Sequence, residues 1–349
     1  MMKLSTWWGL NDKYYPGIEI VLRDGFGQVP DALQKGTVKL LANDVVTKSN
    51  SGSSQALRIV TDTVSKVQQA ADKISISTTG GQRYDVDHAV VTVPLGVLQR
   101  GTVTFEPPLP ASKTTAISRL GFGNVVKVAI LFDTAFWDAD MHYFGLVVLP
   151  GLEKAEKFTY FLNVISATSR PVLMTFAFGD SATEVEAWSD QQVWELILRN
   201  LVGLFGDAAT QANKTSMWRS NWASNHNFGG TYSYAKLGSL PRDWNLLADE
   251  HMNGQLHFAG EHTSFEYRGT VHGAFHSGTR AASEILSRFQ CTTQTVTTVS
   301  RQTVTTVAPE FSTTVTTAAR EVSTASQPFA MSRFLCFSLV LVWVSGVQP

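Results

Sequence analysis

Residues 258–288 constrain the fold more than any other part of the chain: an apolar strand around Leu256 and Phe258, a break at Gly260, a polar turn, then a helix rich in small residues. A strand that runs through a glycine turn into a helix is the repeating unit of α/β folds. The first N–H groups of the helix have no partner inside it, and the helix dipole leaves partial positive charge there, so this end suits an anionic or electron-rich ligand. Gly273, Ala274, Ser277, Gly278, Ala281 and Ala282 give the helix a thin face. Another backbone or a flat ligand can approach such a face closely. On pattern alone, the stretch fits any α/β strand–turn–helix as well as a ligand site.

The residues narrow this. Gly260-Glu-His-Thr263, then Gly269-Thr-Val-His-Gly-Ala274 and Ser277-Gly278, resemble the last FAD-binding motif of the flavin-containing amine oxidases, the family of polyamine oxidases, monoamine oxidases and lysine-specific histone demethylases. Two further segments resemble the same family: Thr92-Val-Pro-Leu-Gly-Val-Leu98 and Gly121-Phe-Gly-Asn-Val-Val-Lys127. The resemblance implies an α/β fold of the α+β two-domain kind. A partial, Rossmann-like FAD-binding domain (21–105 and 251–290) would accompany a substrate domain with a mixed sheet and helices (1–20 and 106–250). It implies FAD as cofactor, and hydride transfer from the carbon beside an amine nitrogen to flavin N5. The product is an imine that water hydrolyses to an aldehyde, with O2 reduced to H2O2.

Site residues follow position by position. Lys127 alternates with valines on a strand, where a buried, unpaired ammonium is costly. It reads either as a lysine snorkelling from a strand end or, by resemblance, as the lysine that holds a water against flavin N5. Trp222 matches a tryptophan packed near the flavin, and Tyr232 an aromatic wall facing it, where an amine is favoured by the ring quadrupole. Both also read as sheet packing in a chain with nine tryptophans. Thr270 takes the place of the second wall, aromatic in monoamine oxidases. Threonine there is similar to histone demethylases and animal spermine-type oxidases, and implies room for a long polyamine or a peptidyl lysine. Glu261 matches the acid that bonds ribose or ribityl hydroxyls, or serves as a charge partner of the helix start. The Val271 N–H would face flavin O2, where negative charge gathers on reduction, and the Val45 main chain would hold the adenine.

No Gly-x-Gly-x-x-Gly follows an N-terminal strand, so the phosphate-cradling fingerprint is missing. Leu4-Ser-Thr-Trp-Trp8 resembles the middle of the substrate domain, so the resemblance covers residues 1–290 and only the C-terminal two-thirds of an amine oxidase. A truncated or catalytically inactive surface protein without FAD is therefore the alternative. A protoporphyrinogen-oxidase or carotenoid-desaturase type is disfavoured by Lys127 together with Gly260–Thr263.

Net charge is −1 with 16% charged residues, which gives no basic surface for nucleic acid. Cys291 and Cys336 form no framework or CxxC motif, and His262, His272 and His276 no metal pattern. Residues 292–326 hold 17 Ser or Thr in 35, a composition that cannot bury enough apolar surface to fold alone. The segment 291–328 reads as a disordered stalk. The tail 329–349 reads as a hydrophobic anchor, whether GPI signal or transmembrane helix, though a disordered tail also fits. Its apolar run of 19 residues includes Arg333 and is short for a span, which needs about 20. The expectation is a membrane-anchored protein at the cell surface that acts on a polyamine and O2.

Overall fold

The computed structural model describes residues 60–147, 157–290 and 339–342. Along the chain these form β1 (Val64–Ala70), β2 (Lys73–Thr78), β3 (Arg83–Val86), β4 (His88–Val91), α1 (Leu95–Arg100), β5 (Thr104–Glu106), α2 (Ala111–Arg119), β6 (Gly121–Phe122) and β7 (Val125–Phe132). Then come β8 (Tyr143–Gly145), β9 (Tyr160–Asn163), α3 (Ile165–Thr168), β10 (Val172–Phe178), α4 (Gly179–Glu186), α5 (Asp190–Phe205), α6 (Asp207–Gln211) and β11 (Lys214–Arg219). The rest comprises β12 (Ser233–Tyr234), α7 (Pro241–Ala248), β13 (Leu256–Phe258), a 3₁₀ turn at Glu261–Thr263, α8 (Val271–Gln290) and β14 (Leu339–Val342).

One half is a five-stranded antiparallel sheet in the order β11-β7-β10-β9-β8. β7 alternates strictly, with Val126, Val128, Ile130 and Phe132 buried and Lys127 exposed. That is the period-2 pattern of a sheet with one covered face. The cover is α4 and α5. Ser189 caps α5 through a capping box, its Oγ accepting from Gln192 N at 3.2 Å while Gln192 Oε1 accepts from Ser189 N at 2.9 Å. Val193, Ile197 and Leu201 on α5 then pack against the buried face of β7 and β10. Trp194 and Leu198 are only half-buried, while Leu196 and Asn200 are buried. Asn200 pays its burial cost by donating to the carbonyls of Lys157 (2.9 Å) and Phe158 (3.0 Å).

The other half joins a sheet of order β3-β2-β1-β5 to a parallel sheet of order β13-β4-β14. Val67, Ile74, Ile76, Ala89, Val91, Leu256 and Phe258 form one core between them. α8 covers the parallel sheet through Ala281 and Ile285, which meet Val90 and Ala259. Mixed sheets with helices over them make this an α/β chain in two parts.

The expectation of a membrane anchor is corrected here. Leu339–Val342, inside the apolar tail, is not part of a spanning helix but strand β14, in parallel register with β4 from Leu339 opposite His88 to Val342 opposite Val91. Leu-Val-Leu-Val suits a strand at a sheet edge as well as it suits lipid. Among the described residues no helix is long and apolar enough to cross a membrane. The GPI and transmembrane readings, and the membrane partner and cell-surface location built on them, are set aside. The segment 291–328 and both cysteines lie outside the described residues.

Candidate cofactor and amine site

β13 is buried along its whole length, and its last residue, Phe258, is 1% exposed. The chain turns at Gly260, whose φ is +136°. A Cβ there would sit 2.4 Å from His262 Cε1, so only glycine fits. The turn is fixed from both sides. Gly260 N donates to Ser277 Oγ on α8 at 2.8 Å, and Thr263 closes back on Gly260 O through its N–H (3.0 Å) and Oγ1 (2.9 Å). Thr270 then caps α8: its Oγ1 accepts from Gly273 N at 3.0 Å and donates to Tyr267 O at 2.6 Å. A side chain at Gly273 would meet Tyr267 O at 2.0 Å. Val271 opens the helix and is 52% exposed, and its N–H has no acceptor inside the helix.

Glu261 organises this end of α8. One carboxylate oxygen accepts from Ser233 N at 3.0 Å; the other accepts from Ser233 Oγ at 2.6 Å and from Gly269 N at 2.6 Å. Three donors fill three of the roughly four lone-pair positions of a carboxylate. Burial raises the Glu261 pKa, and these hydrogen bonds oppose the rise. Glu261 thus ties the segment before α7 to the loop before α8. Tyr232, next to Ser233, lies against Gly269: a Cβ on that glycine would be 3.4 Å from Tyr232 Cδ2. Tyr232, Glu261, Gly269, Thr270 and Val271 are therefore brought together.

Lys127 and Trp222 reach the same region through the backbone. Gly123 N donates to Tyr232 O (2.8 Å), Thr231 N to Gly123 O (2.7 Å), and Val125 N to Thr231 Oγ1 (2.9 Å), which stitches the start of β7 to the Tyr232 segment. On the other side Lys127 N donates to Ser220 Oγ (2.9 Å), two residues before Trp222. The Lys127 side chain is exposed on the open face of the sheet, with Nζ 6.0 Å from the Phe176 ring centre. Trp222 packs edge-on against Phe228 at 4.9 Å. Val45 lies outside the described residues.

Three groups behind the turn were not singled out from the sequence as site residues in these roles. Lys113, 2% exposed, donates to the carbonyls of Leu246 (2.8 Å), Leu247 (2.8 Å) and Asp249 (2.7 Å). Burial pushes its amine down to about 7, with Asp249 opposing the fall and Arg280 adding to it. Arg280 donates to Phe258 O (2.5 Å) and Thr263 Oγ1 (3.3 Å). His262, 3% exposed, is driven down to about 4, first by burial and then by the charges of Lys113 and Arg280, so it is neutral near pH 7. His262 stood inside the Gly260–Thr263 motif, and Arg280 is the one charged residue in 273–282. A cleft of about 560 Å³ bounded by Leu98, Val103, Phe105, Leu109, Ile117 and Lys236 includes none of the residues gathered at α8. Among the described residues no three His, Cys, Asp or Glu side chains are placed to hold a metal ion.

Residues 2–286 match the family described as flavin containing amine oxidoreductase. The chain belongs to that family. It is 36% identical over 225 residues to lysine-specific histone demethylase 1 homolog 2 of Oryza sativa subsp. japonica, covering 64% of this chain and 29% of that protein. It is also 36% identical over 225 residues to polyamine oxidase 4 of the same organism, covering 64% of this chain and 44% of that one. A possible lysine-specific histone demethylase 1 of Drosophila melanogaster matches at 33% over 308 residues, 81% of this chain and 32% of that protein. The chain thus spans less than half the length of these relatives. An engineered putrescine oxidase superposes with a TM-score of 0.55 at 23% identity, over 65% of this chain and 48% of that one, a likeness of fold.

Membership of this flavin-containing family brings FAD as the cofactor, and the residues at α8 fit it. A capped helix start with an exposed first residue, a carboxylate with one lone pair to spare, and glycines that permit close approach are what a flavin and its ribityl chain require.

Proposed function

We propose that this amine oxidase-family chain oxidises a polyamine with FAD. The observation that carries the reading is the convergence of Tyr232, Glu261, Thr270 and Val271 on the start of α8, with Lys127 on the adjoining strand. FAD, when bound, supplies the acceptor for the hydride that leaves the carbon beside the amine nitrogen. The chain binds and orients. Tyr232 and Thr270 form the walls beside the amine; a threonine here leaves more room than an aromatic ring. The Val271 N–H and the partial positive charge of the α8 start would favour the electron-rich edge of the cofactor. The remaining lone pair of Glu261 would take a ribityl or ribose hydroxyl, Trp222 would lie beside the ring, and the Val45 main chain would hold the adenine. Lys127 would hold a water at the same edge. The net reaction consumes the amine, O2 and water and yields an aldehyde, the released amine and H2O2.

Relatives named polyamine oxidase support the polyamine over a smaller amine; relatives named histone demethylase make a methylated lysine peptide the competing substrate to test. The test is the visible spectrum of the purified chain with FAD. Flavin bands that bleach with spermine without air, and return on admitting air, support the proposal. Bleaching by a methylated lysine peptide but not by spermine refutes the polyamine. A chain that takes up no FAD supports the inactive alternative.

A further inference from the structure

Lys113 stands in α2, remote in sequence from the α8 motif, and touches none of the residues assigned to cofactor or amine. Its surroundings are nevertheless specific. The last carbonyls of a helix lack intrahelical donors, and three at the end of α7 converge on Lys113 Nζ. Three acceptors call for a group with three donors and no acceptor, which is an ammonium. Its fourth side is closed by the Phe258 ring, 4.0 Å from Nζ to the centroid. Phe258 ends β13, two residues before Gly260. Arg280 on α8 also donates to Phe258 O and, at 3.4 Å, to Ala248 O. Cations from α2 and α8 therefore clamp one patch: the end of α7 and the last residue of β13.

We infer that Lys113 is a positioning residue for the cofactor-binding turn: by holding the end of α7 against Phe258, its ammonium sets where Gly260, Glu261 and the start of α8 lie. Phe258 is coupled to the turn through the chain, two residues before Gly260, and through Arg280, whose Nη2 donates both to Phe258 O and to Thr263 Oγ1. Displacing Phe258 therefore bears on the stretch 258–263 from both of its ends. The inference rests on FAD as the cofactor and not on the choice of amine, so the test reads FAD binding rather than turnover.

The experiment compares the full chain with Lys113→Met, which keeps the apolar stem and removes all three donors, and Lys113→Arg, which keeps charge and donors. FAD affinity is read from quenching of flavin fluorescence, and local order from amide exchange of the FAD-free protein. Losing charge-assisted hydrogen bonds predicts an FAD Kd raised about tenfold or more in Lys113→Met, with most of the loss recovered in Lys113→Arg. Exchange should quicken at residues 258–263 while β7 keeps its wild-type protection. A Lys113→Met protein that is less stable throughout yet binds FAD within about twofold of wild type assigns Lys113 to the general fold and overturns the inference. So does a wild-type chain that takes up no FAD. If Lys113→Met does not fold, Phe258→Leu removes the ring under the ammonium: a several-fold rise in FAD Kd supports the inference, and a wild-type Kd overturns it.

Discussion

Lowering the pH should weaken the fold through His262, and the amount can be worked from its surroundings. In the unfolded chain an imidazole takes its proton near 6.5; in the folded chain burial, Lys113 and Arg280 delay this until about 4. Between those values the unfolded state holds a proton that the folded state lacks, so each step down in pH favours unfolding. The stabilisation is fully present above 6.5, is lost as pH falls toward 4, and does not change further below that. At about 1.4 kcal/mol per unit, the loss is about 3 kcal/mol, a large part of the roughly 5–15 kcal/mol that holds a typical domain together. Other groups titrate nearby. The pKa values of His88 and His272 are lowered, chiefly by burial, and act in the same direction; that of Glu261 is raised by burial and acts in the opposite one. The assay must therefore be a difference. Urea midpoints of wild type and His262→Gln, which carries no titrating ring, are compared from pH 7 to pH 4. The wild type should lose stability more steeply, and the two curves should run parallel above pH 6.5. Equal slopes across the window would refute the argument that His262 is held neutral by its neighbours.

Gly273→Ala places a methyl 2.0 Å from Tyr267 O, a backbone atom with little room to move; thermal unfolding should show a loss of about 1–3 kcal/mol. Thr270→Val keeps the shape but removes the hydroxyl that caps α8 and satisfies Tyr267 O, so the urea midpoint should fall by the equivalent of about 1 kcal/mol. Lys127→Met should leave FAD binding unchanged, because the side chain is exposed on the open sheet face, while slowing reoxidation of the reduced flavin by air about hundredfold in stopped flow. Reoxidation at the wild-type rate would remove Lys127 from the reaction.

What could be read from the sequence divides along a physical line. β7 was legible as an apolar strand interrupted by one charge, because its even positions pack against α4 and α5 while Lys127 lies on the other face. The glycines of the α8 turn were legible because positive φ at 260 and close approach at 273 tolerate nothing else. All of these are constraints that act within a few residues. The partners of the charged groups are of another kind. Glu261 is satisfied by Ser233, 28 residues away, and Lys113 by carbonyls 133 to 136 residues away. A backbone carbonyl carries no residue identity, so no reading of side chains could find those bonds. The tail failed for a third reason. Hydropathy reports that Leu339–Val342 avoids water and says nothing of what replaces it; the edge of β4 and a lipid bilayer both satisfy the same four residues, and only the geometry of the sheet decides between them.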